Sequence, residues 1–250
     1  MTEKYGRSFA GKVALVTGGS RGIGEGIVRR LASDGAAVAF TYFNSEEKAK
    51  RLASEIDAAG GKALPIKADS ASAEDIRATV NQVVKELGEI DIFVNNAGIL
   101  IRGAIDSYSL EDFDRMLAVN VRAAFVGMQA ASQSMKDGGW RTDHPDRQQH
   151  CRSDSISGSE RLQHDQSGPD RIGARRRYRS RSSGDYGQYI QPGPTATDMS
   201  APHAEAVKGL IPLARMAHVS EIAGFVSYLA SDEAGFITGA SLTIDGGYIA

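Results

Sequence analysis

A glycine-rich turn between an apolar run and an amphipathic run constrains this chain more than any other feature. The turn is Thr17–Gly24, with the sequence Thr-Gly-Gly-Ser-Arg-Gly-Ile-Gly. The run before it, Val13–Val16, is short and rich in β-branched residues, which predicts a buried strand. Apolar residues recur after the turn at steps of three and four, which predicts a helix lying on a sheet. They are Ile23, Ile27, Val28 and Leu31.

A turn of this kind is suited to binding a phosphate. It aims free backbone N–H groups and the positive end of a helix at one point in space. Glycines are needed there because a Cβ would hold a phosphate away from the backbone. An ordinary tight turn between a strand and a helix has a similar composition, so the rest of the chain must decide between the two interpretations.

Length, charge and cysteine content exclude several classes of protein. The chain has 250 residues, enough for a sizeable core, and its net charge of −2 argues against nucleic acid or a membrane as partner. It has no N-terminal signal pattern and no apolar run of membrane-spanning length. The single cysteine, Cys151, excludes an internal disulfide and a cysteine-based metal site. We therefore expect a cytoplasmic protein without a metal.

Strand and helix patterns alternate four times in the first half of the chain. The strands predicted after the first are Ala36–Tyr42, Lys62–Ala68 and Ile90–Val94. This alternation predicts an α/β fold with a single doubly wound, Rossmann-like sheet, whose strands are parallel and covered by helices on both faces. Ligands of such sheets bind beyond the carboxyl ends of the strands. The glycine turn, Asp69 and Asn95–Asn96 all fall at that edge.

Several helix starts and one further strand are also predicted. The predicted N-cap residues are Asn44, Ser72, Ser109 and Ser220. The helix after Ser109 is long, and its apolar residues are Phe113, Met116, Leu117, Val121 and Phe125. A last strand is predicted at Ser241–Ile244. His203 and His218 have no metal-ligand spacing around them, which favours structural or solvated histidines.

Taken in order, these residues resemble the short-chain dehydrogenase/reductase family, and within it the branch of 3-oxoacyl-acyl-carrier-protein reductases. The resemblance covers residues 8–139 and 190–250. Its motifs are Thr17–Gly24, Asp69, Asn95–Gly98, Asn120, Pro192–Gly193 and Asp245–Gly247. It implies a single reductase domain over residues 1–250, which reversibly reduces the ketone of a 3-oxoacyl thioester or a similar small carbonyl substrate to a secondary alcohol. It also implies a homo-oligomer, a tetramer in which the last strand packs at an interface.

The resemblance implies a nicotinamide cofactor with its pyrophosphate on the glycine turn. The residue after the second strand selects the cofactor, because a carboxylate there would bind the ribose 2′-hydroxyl and repel a 2′-phosphate. That position is Tyr42, and no acid follows before Glu46. Arg21, inside the glycine turn, can pair with a phosphate through two N–H groups. We therefore predict NADP(H).

The resemblance also gives roles to individual residues. Asp69 would accept a hydrogen bond from the adenine amino group, Asn120 would anchor a water in a proton relay, and Thr195 would lie near the carboxamide. Without the resemblance, Asp69 would be a turn former and Asn120 a satisfied core amide. A lid over the substrate is expected within 196–215. The full set of expected cofactor-binding residues is Gly18, Ser20, Arg21, Gly22, Ile23, Gly24, Tyr42, Asp69, Asn96, Ala97, Gly98, Pro192, Gly193 and Thr195.

Residues 140–189 depart from the family. The family has a serine near the end of the fifth strand and a Tyr-x-x-x-Lys pair in the next helix. The tyrosine protonates the carbonyl oxygen, and the lysine lowers the tyrosine pKa and holds the ribose. Between Trp140 and Tyr189 there is no lysine, valine, phenylalanine or methionine. Such a composition predicts disorder, whereas the fold requires two buried strands and a packed helix there.

A compensated frameshift accounts for this departure. Suitable codons for Glu160–Gly168, read one nucleotide later, give Ser-Val-Tyr-Ser-Met-Thr-Lys-Ala. The same shift permits a strand ending in serine before this stretch, and an amphipathic helix and another strand after it. The serine, tyrosine and lysine then occupy the positions of Gln148, Leu162 and Gln166, whose own side chains cannot perform the chemistry.

Two other interpretations stay open. Taken as it stands, the sequence describes a Rossmann protein that binds a nucleotide through its first half and does not catalyse. Alternatively, the arginine-rich run Arg175–Arg181 is an insert that binds RNA or another partner, since Arg/Ser-rich runs bind phosphate backbones. Short charged runs in a near-neutral protein are usually solvent-facing, which weakens the second of these.

Overall fold

The computed structural model describes residues 9–137, 152–156 and 186–249. Seven parallel strands form one sheet, in the order β3-β2-β1-β4-β5-β6-β7. The sheet confirms the predicted doubly wound α/β fold, and its strand order reverses between β1 and β4. The strands are β1 (Val13–Val16), β2 (Ala37–Tyr42), β3 (Lys62–Lys67), β4 (Ile92–Asn95), β5 (Arg152–Ile156), β6 (Tyr186–Pro192) and β7 (Ser241–Ile244).

Helices cover both faces of this sheet. A π-helical turn, Ala118–Arg122, joins the two helices that follow β4. A short 3-10 turn, Ala201–His203, precedes the helix that lies within the predicted lid. The helices are α1 (Gly22–Ser33), α2 (Glu46–Ala58), α3 (Ala73–Leu87), α4 (Leu110–Leu117), α5 (Ala123–Asp137), α6 (Ala204–Lys208) and α7 (Val219–Ala230). No helix in the described ranges is both long enough and apolar enough to cross a lipid bilayer.

Two main hydrophobic cores lie on opposite faces of the sheet because successive strand residues point to opposite sides. The first core packs α1, α2 and α7 against one face, with Val16 and Phe40 fully buried in it. The second packs α3 and α5 against the other face, where Leu15 and Phe93 are buried. The periodicity predicted for α1 is confirmed, since Ile27, Val28 and Leu31 are fully buried.

Helix starts agree with the sequence in part. Ser72 and Ser109 cap α3 and α4 by accepting from the backbone N–H groups of Asp75 and Asp112. The prediction of Asn44 is wrong, because the N-cap of α2 is Ser45.

The prediction of Ser220 as an N-cap is wrong as well. The N-cap of α7 is His218, whose ring nitrogen accepts from Ser220 N, while Glu221 accepts from the backbone N–H of His218. This capping box begins the helix at Val219, so Ser220 lies inside the first turn.

The long helix predicted after Ser109 is divided by the π turn into α4 and α5. Part of its apolar face is open to solvent in the single chain. The exposed residues are Leu110, Phe113, Leu117, Val121 and Phe125. They recur at steps of three and four, so they form one stripe along α4, the π turn and α5, which we call the α4–α5 stripe.

Candidate functional site

The glycine turn has a backbone that only glycine can follow easily. Gly18 and Gly22 have φ angles of +65° and +58°, in the left-handed region. A Cβ on Gly18 would lie 2.9 Å from the Cα of Ala97, and one on Gly24 would lie 2.3 Å from the carbonyl oxygen of Gly18. The glycines therefore allow the turn to pack against the end of β4 and against the first turn of α1.

Two threonines hold this turn in place: the sequence motif includes Thr17 without giving it a role, and it does not include Thr41. The hydroxyl of Thr41, buried at the end of β2, accepts from the N–H of Gly18 at 2.9 Å. The hydroxyl of Thr17 accepts from the N–H groups of Asn96 and Ala97, each at 3.0 Å. A threonine at the end of a strand is common, so residue type alone does not reveal that these two hold the turn. Their contacts in the folded structure do.

Asn96 joins the end of β4 to the glycine turn. Its amide nitrogen donates to the carbonyl oxygens of Thr17 at 2.8 Å and Gly18 at 3.0 Å. The neighbouring Asn95 is buried, and its amide nitrogen has no partner within the described residues. The glycine turn and the carboxyl end of β4 are thus one rigid assembly.

The start of α1 is open toward the space in front of the turn. Its N-cap is Arg21, which has an extended backbone and makes no side-chain capping hydrogen bond. The first N–H groups of the helix therefore face that space without a side-chain cap, as an anion site requires. Three close-packed glycines, Gly18, Gly19 and Gly24, and an uncapped helix start together fit the pyrophosphate of a dinucleotide.

Asp69 lies at the end of β3, and its carboxylate is paired with Arg115. The two guanidinium nitrogens of Arg115 lie 3.1 and 3.2 Å from the two carboxylate oxygens. The guanidinium also lies over the ring of Phe43, 5.6 Å from its centre. The prediction of Asp69 as an adenine acceptor did not include this arginine on α4, which is distant in sequence.

Asn120 lies in the middle of the π turn. Its amide oxygen accepts from Ile99 N and its amide nitrogen donates to Ile99 O, both at 2.9 Å. Both functions of the side chain are therefore used to hold the loop after β4, beside Gly98. The side chain positions this loop, and the two bonds to Ile99 leave one amide hydrogen and one oxygen lone pair available.

Two residues at the end of β2 differ in exposure. Tyr42 is buried, with 9% of its surface exposed, whereas Phe43 is 46% exposed. Neither carries a negative charge, so the carboxylate that would repel a 2′-phosphate is absent from both positions. Tyr42 is part of the first hydrophobic core.

The segment after β6 runs along the same edge of the sheet. Gly193 donates its N–H to Ile244 O at 3.0 Å, and a Cβ there would lie 2.5 Å from the Cα of Asp245. Thr195 is 5% exposed, and its hydroxyl donates to Gly193 O at 2.9 Å. The next residues approach the glycine turn, since a Cβ on Gly22 would lie 3.4 Å from the side chain of Thr197.

The Asp245–Gly247 turn supports the predicted lid. The carboxylate of Asp245 accepts from the N–H groups of Gly247 and Ile249 at 2.8 and 2.9 Å. The carbonyl oxygen of Gly246 accepts from Leu213 N at 3.3 Å. The lid segment thus rests on the turn that follows β7.

Part of the predicted site lies outside the described residues. The positions proposed for the catalytic serine, tyrosine and lysine, now Gln148, Leu162 and Gln166, are among them. Arg175–Arg181 and Cys151 are also outside. In the ranges that the structure describes, no cluster of histidine, cysteine and acidic side chains has the arrangement of a metal site.

A sizeable cavity in the described part of the chain lies elsewhere. It has a volume of about 730 Å³ and opens at the amino ends of β1–β3. Two of its three cationic residues, Lys12 and Arg29, are already in ion pairs, and the third is Lys62. Ligands of parallel sheets bind at the opposite edge, so we give this cavity no part in the function.

Family models match most of the described chain. The model described as short chain dehydrogenase matches residues 12–141. The model described as Enoyl-(Acyl carrier protein) reductase matches residues 188–249. The interval between the two matches coincides with the segment that departs from the family pattern.

Two relatives match nearly the whole chain. The cyclic-di-GMP-binding biofilm dispersal mediator protein of Escherichia coli K12 is 35% identical over 96% of this chain and 98% of its own length. A 3-oxoacyl-[acyl-carrier-protein] reductase of Staphylococcus aureus is 31% identical over 94% of this chain and 97% of its own length.

Solved structures also match closely. A short-chain dehydrogenase/reductase from Serratia marcescens is 44% identical, with a TM-score of 0.84 over 96% of this chain and 99% of its own. A blue fluorescent protein from a metagenomic library, solved in complex with NADPH, is 38% identical, with a TM-score of 0.83 over 97% of this chain and 100% of its own.

Proposed function

The chain belongs to the short-chain dehydrogenase/reductase family, and from this membership we propose that it uses NADPH to reduce a ketone to a secondary alcohol, reversibly. The family makes the chain an oxidoreductase. Within it, the proposed substrate is a 3-oxoacyl thioester or a similar small carbonyl compound. The S. aureus relative is a reductase of such thioesters, which supports this substrate class.

The glycine turn is the observation that carries the proposal. Gly18 and Gly24 pack so closely against Ala97 and against the turn itself that any side chain would displace the backbone. The hydrogen bonds from Gly18 to Thr41 and from Asn96 to the turn carbonyls fix it before any ligand binds. Such a preformed backbone can hold a pyrophosphate without paying a large ordering cost.

NADPH is favoured over NADH by the charges around the end of β2. Tyr42 and Phe43 are uncharged, and Arg21 projects from the glycine turn as the N-cap of α1. A guanidinium can hold a 2′-phosphate with two hydrogen bonds. The structural relative solved with NADPH supports the same preference.

The remaining described residues would hold the rest of the cofactor and order the site. The bound cofactor supplies the hydride. Asp69, oriented by Arg115, would accept from the adenine amino group, and Thr195 would lie beside the carboxamide. Asn120 would keep the loop after β4 in position through its two bonds to Ile99.

Proton delivery requires residues that the sequence does not contain as it stands, so we propose that 140–189 results from a compensated frameshift. Two features of the described residues support this. The strand β5 pairs with β4 and β6 in the centre of a parallel sheet, yet its sequence is Arg-Ser-Asp-Ser-Ile. Central parallel strands are normally apolar on both faces. Gln188 on β6 is 4% exposed, and its amide oxygen has no partner among the described residues.

The first test of this proposal is to sequence the DNA that encodes the segment between Gly139 and Gln191 and to measure the intact mass of the protein. A shifted frame would change nearly every residue of the segment, and therefore the mass. The protein whose peptide map shows the tyrosine and lysine should oxidise NADPH in the presence of a 3-oxoacyl thioester, followed by loss of reduced-cofactor absorbance. A protein with the sequence as it stands should bind NADPH without oxidising it, and activity in that protein would refute the mechanism.

We also propose that the chain forms a homo-oligomer through the α4–α5 stripe. This stripe contains two phenylalanines, two leucines and a valine, each more than a third exposed in the single chain. A continuous apolar face of this kind on a soluble domain marks an association surface. A tetramer would in addition use the exposed edge of β7.

A further inference from the structure

An ion pair joins α2 to the segment after β6 at the rim of the proposed cofactor site. Lys48 Nζ lies 3.0 Å from Asp198 Oδ2, although the two residues are 150 positions apart. Lys48 lies in the first turn of α2, six positions after Tyr42, the last residue of β2. Asp198 follows Thr197, whose side chain packs beside Gly22 of the glycine turn. The pair therefore spans the edge of the site from one side to the other.

The charge of a second cation acts on the same carboxylate. The hydrogen bond and charge of Lys48 lower the pKa of Asp198 below its ordinary value, and the charge of Arg21 lowers it further. Asp198 is thus ionised at neutral pH. Arg21 is the residue that we propose as the partner of the 2′-phosphate.

The carboxylate that pairs with Lys48 does not come from the first acidic residue of α2. Glu46, the first acidic residue after β2, is paired with Lys50 at 2.7 Å, on the same helix. Lys48 instead pairs with Asp198, a residue of another segment. The negative charge at this point of the rim is thus supplied by the segment after β6.

The pair can open without loss of the surrounding structure. The side chains of Lys48 and Asp198 are 45% and 73% exposed, so water can replace either partner. The turn that carries Asp198 is held independently by Ser200, whose hydroxyl donates to Thr195 O at 2.6 Å and accepts from Thr197 N at 2.9 Å.

We propose that Lys48 is a specificity-determining residue for the 2′-phosphate and that Asp198 is its internal competitor. In the free protein the carboxylate of Asp198 holds Lys48, and a bound 2′-phosphate displaces it. This inference rests on the proposed use of NADPH. A phosphate has three acceptor oxygens and more negative charge than a carboxylate, so it can bind both cations at once. NADH carries no such group and leaves the pair intact.

The test compares two variants that break the same pair from opposite sides. Dissociation constants of NADPH and NADH are measured by cofactor fluorescence for the full chain and for Lys48→Met and Asp198→Asn. We expect Lys48→Met to weaken NADPH binding about twofold to fivefold and Asp198→Asn to tighten it by about the same factor, the range of an exposed ion pair. NADH binding should not change in either variant.

Two further variants serve as controls. Lys50→Met removes the charge of a lysine on the same helix that pairs with Glu46, and it should leave NADPH binding unchanged. Lys48→Arg keeps the charge and should bind NADPH as the wild type does. Calorimetric titration with 2′,5′-ADP, which carries the 2′-phosphate but no nicotinamide, should give the same order of affinities.

The possible results separate the inference from the proposed function. Weaker binding in both Lys48→Met and Asp198→Asn would overturn the inference, because an ion pair that only supports the fold acts in one direction. Equal changes for NADPH and NADH, or an equal effect of Lys50→Met, would also overturn it. A wild-type chain without preference for NADPH would overturn the proposed cofactor together with the inference. A preserved preference with unchanged variants would overturn the inference alone.

Discussion

Asn120 occupies a position where one side chain fixes both a loop and a helix. Its amide uses its donor and its acceptor on Ile99, and the backbone around it forms a π turn. Short π-helical turns are often found at functional sites, since they re-aim residues within a helix. In the sequence, a polar amide inside an apolar helix already indicates a special role. Its partner, Ile99, can be identified only from the position of the loop after β4.

The first prediction at the scale of single residues concerns Gly18. Gly18→Ala forces a side chain into a left-handed conformation and to within 2.9 Å of Ala97 Cα. We expect this variant to lose about 2–4 kcal/mol of unfolding free energy and to bind NADPH at least about tenfold more weakly, since the strain and the overpacking add. Urea unfolding and cofactor fluorescence measure the two effects.

Gly60→Ala is the matched control for this variant. Gly60 also has a positive φ, of +83°, but a Cβ there has nothing within 4 Å. Gly60→Ala should lose only the unfolding free energy that the left-handed backbone conformation costs, about 1–2 kcal/mol, and it should bind NADPH normally. Equal losses in the two variants would show that the close packing of the glycine turn contributes nothing.

The second prediction concerns Arg115, which orients the Asp69 carboxylate and covers Phe43. Arg115→Gln should weaken NADPH and NADH about equally, by about threefold to tenfold, because adenine is common to both cofactors and the paired guanidinium is partly exposed. Arg122→Gln is the control, since Arg122 donates to the same loop at Ala71 O, at 2.9 Å, and not to the Asp69 carboxylate. A selective loss of NADPH binding in Arg115→Gln would contradict the proposed role.

At the scale of elements, the start of α7 has a strongly stabilised carboxylate. Glu221 accepts from Arg215 at 2.7 Å and from the backbone N–H of His218 at 2.8 Å. The hydrogen bond from Arg215, followed by that from His218, lowers the pKa of Glu221 from 4.5 to about 2. The charged form of this residue thus supports both the helix start and the end of the lid segment.

This shift makes the stability of the α7 start dependent on pH. Because the pKa of Glu221 is lower in the folded chain than in the unfolded chain, its contribution is present above pH 4.5 and is lost as the pH falls from 4.5 to about 2. Glu221→Gln should therefore unfold at a lower temperature than the wild type at neutral pH, and the difference should shrink across that interval. Thermal unfolding followed by circular dichroism measures it. A difference that stays constant with pH would contradict the assignment.

The α4–α5 stripe gives a second prediction for the elements. Leu117→Glu places a charge in the middle of the stripe, where Leu117 is 42% exposed. We expect it to dissociate the proposed homo-oligomer and to leave the fold of the single chain intact, because the side chain is not part of either core. Sedimentation velocity measures the change. Ile105→Glu, at a position 97% exposed in the loop after β4, should leave the assembly unchanged, and dissociation in both variants would point to a different interface.

At the scale of the whole molecule, the parallel sheet follows from patterns that are local in sequence. Runs such as Val13–Val16 depend on neighbouring residues, and so the first four strands are predicted to within two residues of their ends. The pairs Arg115–Asp69 and Lys48–Asp198 join residues 46 and 150 positions apart, and no local pattern marks them. The N-cap of α7 is His218 and not the predicted Ser220, because a ring nitrogen can accept a backbone hydrogen bond in place of a hydroxyl. The usual residue preferences at N-caps do not predict this.

The centre of the sheet sets the last prediction. A strand of sequence Arg-Ser-Asp-Ser-Ile pairs with β4 and β6 in the centre of the sheet, whereas central parallel strands are normally apolar. A variant with the shifted frame restored over 140–189 should therefore unfold cooperatively at a higher urea concentration than the chain as it stands, and only this variant should oxidise NADPH with a 3-oxoacyl thioester.

The control is phenylalanine in place of the tyrosine at position 162 of the restored variant. It should keep the stability of the restored variant and lose its turnover of NADPH. Equal stability of the restored and present sequences would show that the polar strand is native to this fold, and the chain would then be a nucleotide-binding member of the family without the reductase activity.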